Sequence, residues 1–241
     1  MVAISIPLDR SWEPATVPLT FIDRGEKPNT SSHHLWPDAE GNVIYQWDGL
    51  GPWGDKEAAR SRALWIFTPD GSGSGNWTQG DVSPDLDDLT RVAKASGTTC
   101  RDTAYLVGGQ TAPHVDDRIR SEENIAVPGM ITFNMKNGEW KNQSLANLSP
   151  PYGTYVNGGA ACLELDGGER LVFTIGGLVS GEPSLSEGLS PLSMKNISFY
   201  DAKRDRWLWQ RATVSETNFP VDRPDRVCVA GIQSSNGTFE M

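Results

Sequence analysis

The chain has 241 residues, of which 37% are hydrophobic and 22% charged, with 25 Gly, 16 Pro, 9 Trp and a formal net charge of −10. A chain of this length buries a sizeable core, and its Gly and Pro content, without a long amphipathic stripe, argues against a helical bundle and for many short strands joined by turns. An acidic chain lacking a Lys/Arg cluster is a poor match for a phosphate backbone, so no nucleic-acid partner is expected, and no apolar stretch nears the ~20 residues of a spanning helix, so no membrane contact is expected within this segment.

In chain order, Val2–Trp12 alternates like a strand and has neither a basic nor an apolar leader region, so the chain reads as starting inside a unit whose first half lies upstream. We assign residues 1–15 to strands c and d of that unit. The next unit covers residues 30–81, with strands at Ser32–Trp36, Val43–Trp47, Ala63–Thr68 and around Trp77. A third covers 97–144, with strands at Thr98–Arg101, Ala104–Val107, Met130–Asn134 and around Trp140. The most complete unit, 158–213, has strand a at Ala160–Leu165, strand b at Arg170–Ile175, strand c at Asn196–Tyr200 and strand d from Trp207. Residues 225–241 read as strand a and the start of strand b of a further unit.

These units are an internal repeat. Trp12, Trp77, Trp140 and Trp207 are 65, 63 and 67 residues apart. A Gly pair closes strand b at Gly108-Gly109 and Gly176-Gly177, with a degenerate version at Asp48-Gly49, and the second glycine precedes the next Trp by 28, 31 and 30 residues. Cys100, Cys162 and Cys228 follow the preceding Trp by 23, 22 and 21 residues. Four-stranded units repeated around an axis are propeller blades. The expected fold is therefore an all-β propeller of four-stranded antiparallel blades, three complete and two partial, with a closed four-bladed ring as the alternative. The glycines, tryptophans and cysteines are read as architecture.

The Gly pair, the aromatic-Asp pair Tyr200-Asp201 and the Trp six residues later resemble a kelch repeat. The wide period and the phrases HHLWPD, LVFTIGG and ISFYDAKRDRWLWQ resemble the kelch-repeat proteins of fungi, within the galactose-oxidase-like propeller superfamily. The resemblance covers nearly the whole chain. It implies a large extracellular or cell-wall-associated protein, often membrane-anchored through sequence outside this segment. Two departures stand out: Asp48 replaces a glycine, and Asn134-Met135 stands where an aromatic-Asp pair is expected.

That superfamily raises the alternative of a copper-radical oxidase, whose site needs converging imidazole and phenolate ligands and a Cys bonded to a Tyr. The chain has only His33, His34 and His114, and no Cys beside a suitable Tyr in a distinct motif. We expect no metal, no cofactor and no catalytic residue. The stretch Asp70–Asn76 is Gly-rich but lacks the Lys-Ser/Thr of a phosphate loop and reads as a turn. The three cysteines, at matching inner-strand positions, are expected as small buried hydrophobes rather than disulfide partners. Asn29, Asn76, Asn142, Asn147, Asn196 and Asn236 head N-glycosylation sequons, where chance gives about two. That excess tilts the location to outside the cell or its surface; an intracellular kelch adaptor is a further alternative.

Because strands alternate direction, the b–c and d–a connections share one face of the propeller and the a–b and c–d turns the other. The b–c connections, Leu50–Arg62, Gln110–Pro128 and Leu178–Lys195, are each 13 residues or longer, against a usual ~4–6. Long loops on a rigid scaffold are where recognition concentrates. A protein or glycan partner is therefore expected on that face, at Trp53, His114, Asp116, Asp117, Arg118, Arg120, Glu122 and Glu123.

Overall fold

Proline decides how the first strand finds its partner. In the computed structural model, which describes residues 3–47, 49–52, 59, 61–81, 83–143, 156–165, 168–186, 188–213, 227–233 and 239–240, β1 (Ala3–Ser5) pairs antiparallel with β2 (Thr20–Ile22). Between them lie Pro7, Pro14 and Pro18, none of which can donate to a ladder. Trp12, expected on strand d, instead lies outside any strand, with its indole N–H on the Pro7 carbonyl at 3.1 Å. Asp48, Trp53, Asn147 and Asn236 lie outside the described residues.

Three complete blades follow. The first is β3 (Trp36–Pro37), β4 (Ile44–Gln46), β5 (Trp65–Pro69) and β6 (Gly75–Gln79), hydrogen-bonded in that order. A short helix, α1 (Asp85–Asp88), lies in the connection to the second blade, β7 (Ser96–Cys100), β8 (Thr103–Val107), β11 (Met130–Asn134) and β12 (Glu139–Gln143). Its b–c loop carries β9 (Gln110–Thr111) and β10 (Ile125–Ala126). The third blade is β13 (Gly159–Glu164), β14 (Arg170–Ile175), β17 (Asn196–Asp201) and β18 (Arg206–Arg211), with β15 (Leu178–Val179) and β16 (Ser190–Pro191) in its b–c loop. The chain's last pair is β19 (Ile232–Gln233) with β20 (Phe239–Glu240). Among the described residues β1–β2 and β19–β20 are separate two-stranded sheets, which fits an open arc of blades rather than a four-bladed ring. In the first blade strand a is confined to β3, and His33 and His34 precede it.

The repeat tryptophans occupy one register. Trp77, Trp140 and Trp207 stand opposite Phe67, Phe133 and Tyr200 on the neighbouring strand. The aromatic-polar pair of the second blade is therefore Phe133-Asn134, six residues before its Trp as Asp201 is before Trp207, and the departure expected at Asn134-Met135 shrinks to an Asn in place of the Asp. The polar member caps the c–d turn: Asn134 Oδ1 accepts the N–H groups of Lys136 and Asn137, and Asp201 Oδ1 those of Lys203 and Arg204. Asp70 does the same for Ser72 and Ser74 in the first blade.

Aromatics also join blade to blade. Tyr45 of β4 meets Phe133 of the next blade edge-on at 5.5 Å, and Tyr105 of β8 meets Tyr200 at 6.3 Å. Trp140 stacks on Phe133 at 4.3 Å and meets Trp47 and Trp36 of the preceding blade at 5.1 and 6.2 Å. Trp36, Trp47, Leu86, Leu106 and Trp140 belong to one buried cluster, and Cys100, Tyr105, Val107, Met130 and Val172 to the next. The core is thus a series of slabs between blades, each built by two neighbours.

At the inner rim the second glycine of each pair has a positive φ: +123° at Gly49, +102° at Gly109 and +81° at Gly177. A Cβ at Gly109 would come within 2.9 Å of the Ala93 carbonyl, and one at Gly177 within 2.8 Å of the Val156 carbonyl. This close approach lets the next residue bridge back: Leu50 to Ser31, Gln110 to Ala93, Leu178 to Val156. One residue further on, Ser32, Lys94 and Asn157 all adopt left-handed backbone. The Lys94 N–H donates to the Ser32 carbonyl, Asn157 N–H to Lys94 and Val227 N–H to Asn157, at 3.2, 2.8 and 3.2 Å. Main-chain atoms thus link successive blades around the axis.

Two cysteine expectations need correction. Cys100 and Cys162 form a disulfide between β7 and β13, with Cα atoms 5.5 Å apart. Matching positions on adjacent inner strands are neighbours across a blade junction, which is why the equivalence that suggested similar burial also permits a bond. Cys228 is not their equivalent. Val227 occupies the place of Lys94 and Asn157, so Cys228 lies one residue beyond it, whereas Cys100 and Cys162 lie six and five beyond theirs. It is a free, exposed thiol.

Candidate functional site

The b–c loops of the second and third blades are ordered by their own pairing. β9 pairs with β10 and β15 with β16, and the two loops then join across the blade junction. Ala126 N–H donates to the Pro183 carbonyl at 2.8 Å, Leu185 N–H to Asn124 at 3.0 Å, and Ile125 bridges Ser184. Glu123 accepts a hydrogen bond from the Ser184 hydroxyl across the same seam. Two loops of adjacent blades therefore make one platform.

Within that platform the charged run from Asp116 to Glu123 divides in two. Asp116 is wholly buried. Its carboxylate accepts Arg118 Nε at 2.9 Å and Nη2 at 2.6 Å, and the N–H groups of Arg91 and Arg118 at 3.0 and 3.1 Å. Burial alone would raise its pKa, but these four donors hold the carboxyl below the usual range. Arg118 also donates to the Asp87 and Leu89 carbonyls, so it joins the second blade's loop to α1 and the residues after it; the carboxylate pushes its own pKa upward. Asp117 receives Arg62 at 3.3 Å, and Arg62 reaches Asp87 at 3.3 Å. Arg91, almost fully buried, donates from Nε to the Trp47 carbonyl at 3.1 Å and from Nη1 to Ser61 at 2.7 Å. Asp116, Asp117 and Arg118 thus staple the connections of the first two blades.

Arg120, Glu122 and Glu123 are exposed. His114 is partly buried, its pKa held down by burial and by the Lys94 charge. Trp53 lies outside the described residues. Sequence reasoning missed Arg62, Asp87 and Arg91, although an arginine set in the run Leu89–Ala93 is the kind of cation that burial forces into pairing.

The other residues of interest are dispersed. Among the described residues no three His, Cys, Asp or Glu side chains are grouped to hold a metal ion. His33 lines a cleft beside the first blade, and a Cβ at Gly97 would strike the His34 ring, so His34 packs on β7. Asn76 and Asn142 are exposed on the outer strands β6 and β12, and Asn196 is exposed at the start of β17; Asn29 is half-buried.

No protein-family model and no curated protein matches the sequence. Among solved structures the chain is similar to YjhT, a kelch-type β-propeller protein, with a TM-score of 0.58 over 95% of this chain and 69% of YjhT at 13% identity. A likeness at that identity establishes the β-propeller fold alone.

Proposed function

We propose that the chain is part of a non-catalytic kelch-repeat scaffold, akin to the fungal kelch proteins, that presents its loop face to a protein or glycan partner outside the cell or at its surface. The observation that carries this reading is the platform made by the second and third b–c loops. Their cross-blade hydrogen bonds and the buried Asp116 staple fix a surface on which Arg120, Glu122 and Glu123 stand exposed. A partner meeting such a surface does not bear the cost of ordering it. The location rests on the Cys100–Cys162 disulfide, which persists in oxidising compartments, and on the exposed sequon asparagines Asn76, Asn142 and Asn196.

The test is a screen of the purified protein against a glycan array and secreted or surface protein libraries. It is followed by a variant carrying Arg120→Ala, Glu122→Ala and Glu123→Ala. Lys136→Ala and Lys203→Ala, on the opposite face, are the controls. Binding should fall about tenfold or more with the loop variant, the scale of one or two lost interface contacts. If the controls abolish binding and the loop variant does not, the site is on the other face.

A further inference from the structure

Asparagine followed by glycine is the pair most open to attack by a chain's own backbone. The side-chain carbon Cγ lies within reach of the next main-chain nitrogen, and a glycine there puts no Cβ in the way. Among the described residues two such steps occur, Asn137-Gly138 and Asn157-Gly158, and every other described asparagine precedes a bulkier residue. The fold holds the two in opposite ways.

Asn137 and Gly138 stand exposed at the tip of the β11–β12 hairpin, on the face opposite the loop platform. Gly138 has left-handed backbone, φ +74°, and a Cβ there would meet nothing within 4 Å, so solvent reaches the peptide freely. Asn137 Oδ1 accepts the Glu139 N–H at 3.1 Å. That bond folds the side chain forward over the Gly138 peptide. It also sets a donor on the oxygen where negative charge develops as Cγ is attacked. One bond opposes the reaction: the Gly138 N–H donates to the Asn134 carbonyl at 2.9 Å. An exposed turn tip releases such a bond by local opening, without unfolding the blade. Asn157-Gly158 is held in the main-chain relay of the inner rim. Asn157 N–H donates to Lys94, and its carbonyl accepts Val227 N–H. Gly158 is buried, and a Cβ there would strike the Ser96 hydroxyl and come within 3.2 Å of the Gly176 carbonyl. Ring closure at Asn157 therefore requires breaking the link between blades.

We propose that Asn137 is a modification site at which the folded protein converts asparagine to aspartate and isoaspartate with age, while Asn157 is protected. The Gly138 nitrogen bonds to Asn137 Cγ, and the side-chain NH2 departs with the displaced Gly138 proton as ammonia. The resulting five-membered succinimide takes up one water. Opening at the side-chain carbonyl gives aspartate, and opening at the main-chain carbonyl gives isoaspartate, whose backbone runs through Cβ and Cγ. An amide and a water become a carboxylic acid and ammonia, and nothing is oxidised or reduced. Either product adds a negative charge beside Lys136, and isoaspartate lengthens the turn by a backbone carbon next to the Asn134–Glu139 pair. An aged molecule thus differs from a new one on this face and not at the platform, so the test does not depend on a partner there.

The experiment holds the folded full chain in mildly alkaline buffer at body temperature for weeks, beside a second sample kept unfolded in urea. Aliquots are digested at acidic pH, so that digestion adds no conversion, and mapped by mass spectrometry after chromatography that separates isoaspartate from aspartate. In the folded chain the Asn137 peptide should convert about tenfold or more faster than the Asn157 peptide, the difference between opening a turn tip and opening a core relay. In urea both should convert at similar rates. Far-UV circular dichroism verifies that the folded sample stays folded throughout. The proposal is overturned if Asn137 stays intact in the folded chain, if Asn157 keeps pace with it there, or if neither converts in urea.

Discussion

Replacing Asp116 by Ala separates a structural role for this residue from a recognition role. The substitution removes the acceptor for the buried Arg91 N–H and for three donors of Arg118. A buried N–H left without a partner costs about 1–3 kcal/mol. The Arg118 side chain is 35% exposed and keeps two carbonyl partners, so its lost ion pair is screened and contributes at the low end, ~0–1 kcal/mol. Together the loss should be about 1–4 kcal/mol, which in a chain of this size lowers the melting midpoint by roughly 2–16 °C. Asp116→Asn keeps an acceptor for the N–H groups and should lose about half as much. The assay is thermal unfolding by circular dichroism, paired with urea unfolding of both variants. A shift under ~2 °C, together with lost partner binding, would refute the staple and return Asp116 to the recognition surface.

Acid should act through the same carboxylate. Its folded pKa lies below the unfolded value of about 3.9, so its stabilisation is complete above roughly pH 4 and is lost as the pH falls through the folded value. The midpoint difference between wild type and Asp116→Asn should narrow as the pH falls below that; a gap that stays constant to the acid limit of folding would contradict this. Without reductant, mass spectrometry after alkylation should find Cys228 modified and Cys100 and Cys162 protected. Cys162→Ser should cost up to about 4 kcal/mol on a chain-entropy view of a bond spanning 62 residues, and an unchanged urea midpoint would count against that pairing. Trp140→Ala, in the packed first-to-second blade slab, should cost about 3–5 kcal/mol. Trp77→Ala, partly buried beside the cleft, should cost clearly less, and equal costs would contradict that difference in packing.

The fold was legible because propeller blades write the same landmarks at each turn. Trp77, Trp140 and Trp207 share a register, and strand b of the third blade is found at Arg170–Ile175 as read. Errors arose where a fixed sequence distance was taken for a fixed position. Cys228 keeps its distance from Trp207, yet its place is set by the main-chain link at Val227, which leaves no mark in side-chain chemistry. Trp12 keeps the Trp period, but three prolines deny its segment a ladder. The platform was legible as long charged loops and no further. Which of Asp116, Arg118, Arg120 and Glu122 turns inward depends on Arg91 and α1, brought alongside from the preceding connection. A charged string looks the same whether it faces water or a buried guanidinium.

The main-chain relay around the inner rim leaves residue choice open where it runs. Serine, lysine, asparagine and valine all serve at positions 32, 94, 157 and 227, because only their amide and carbonyl groups carry the link. Three of the four sit in left-handed backbone, a conformation that costs a side-chain-bearing residue roughly 1–2 kcal/mol and asparagine less. Glycine at Lys94 would relieve that cost without breaking a bond of the relay. Its absence there leaves a cation close enough to His114 to help lower that residue's pKa, after burial. Evolution could therefore rewrite the charge along that rim one blade at a time while the main-chain relay stayed intact.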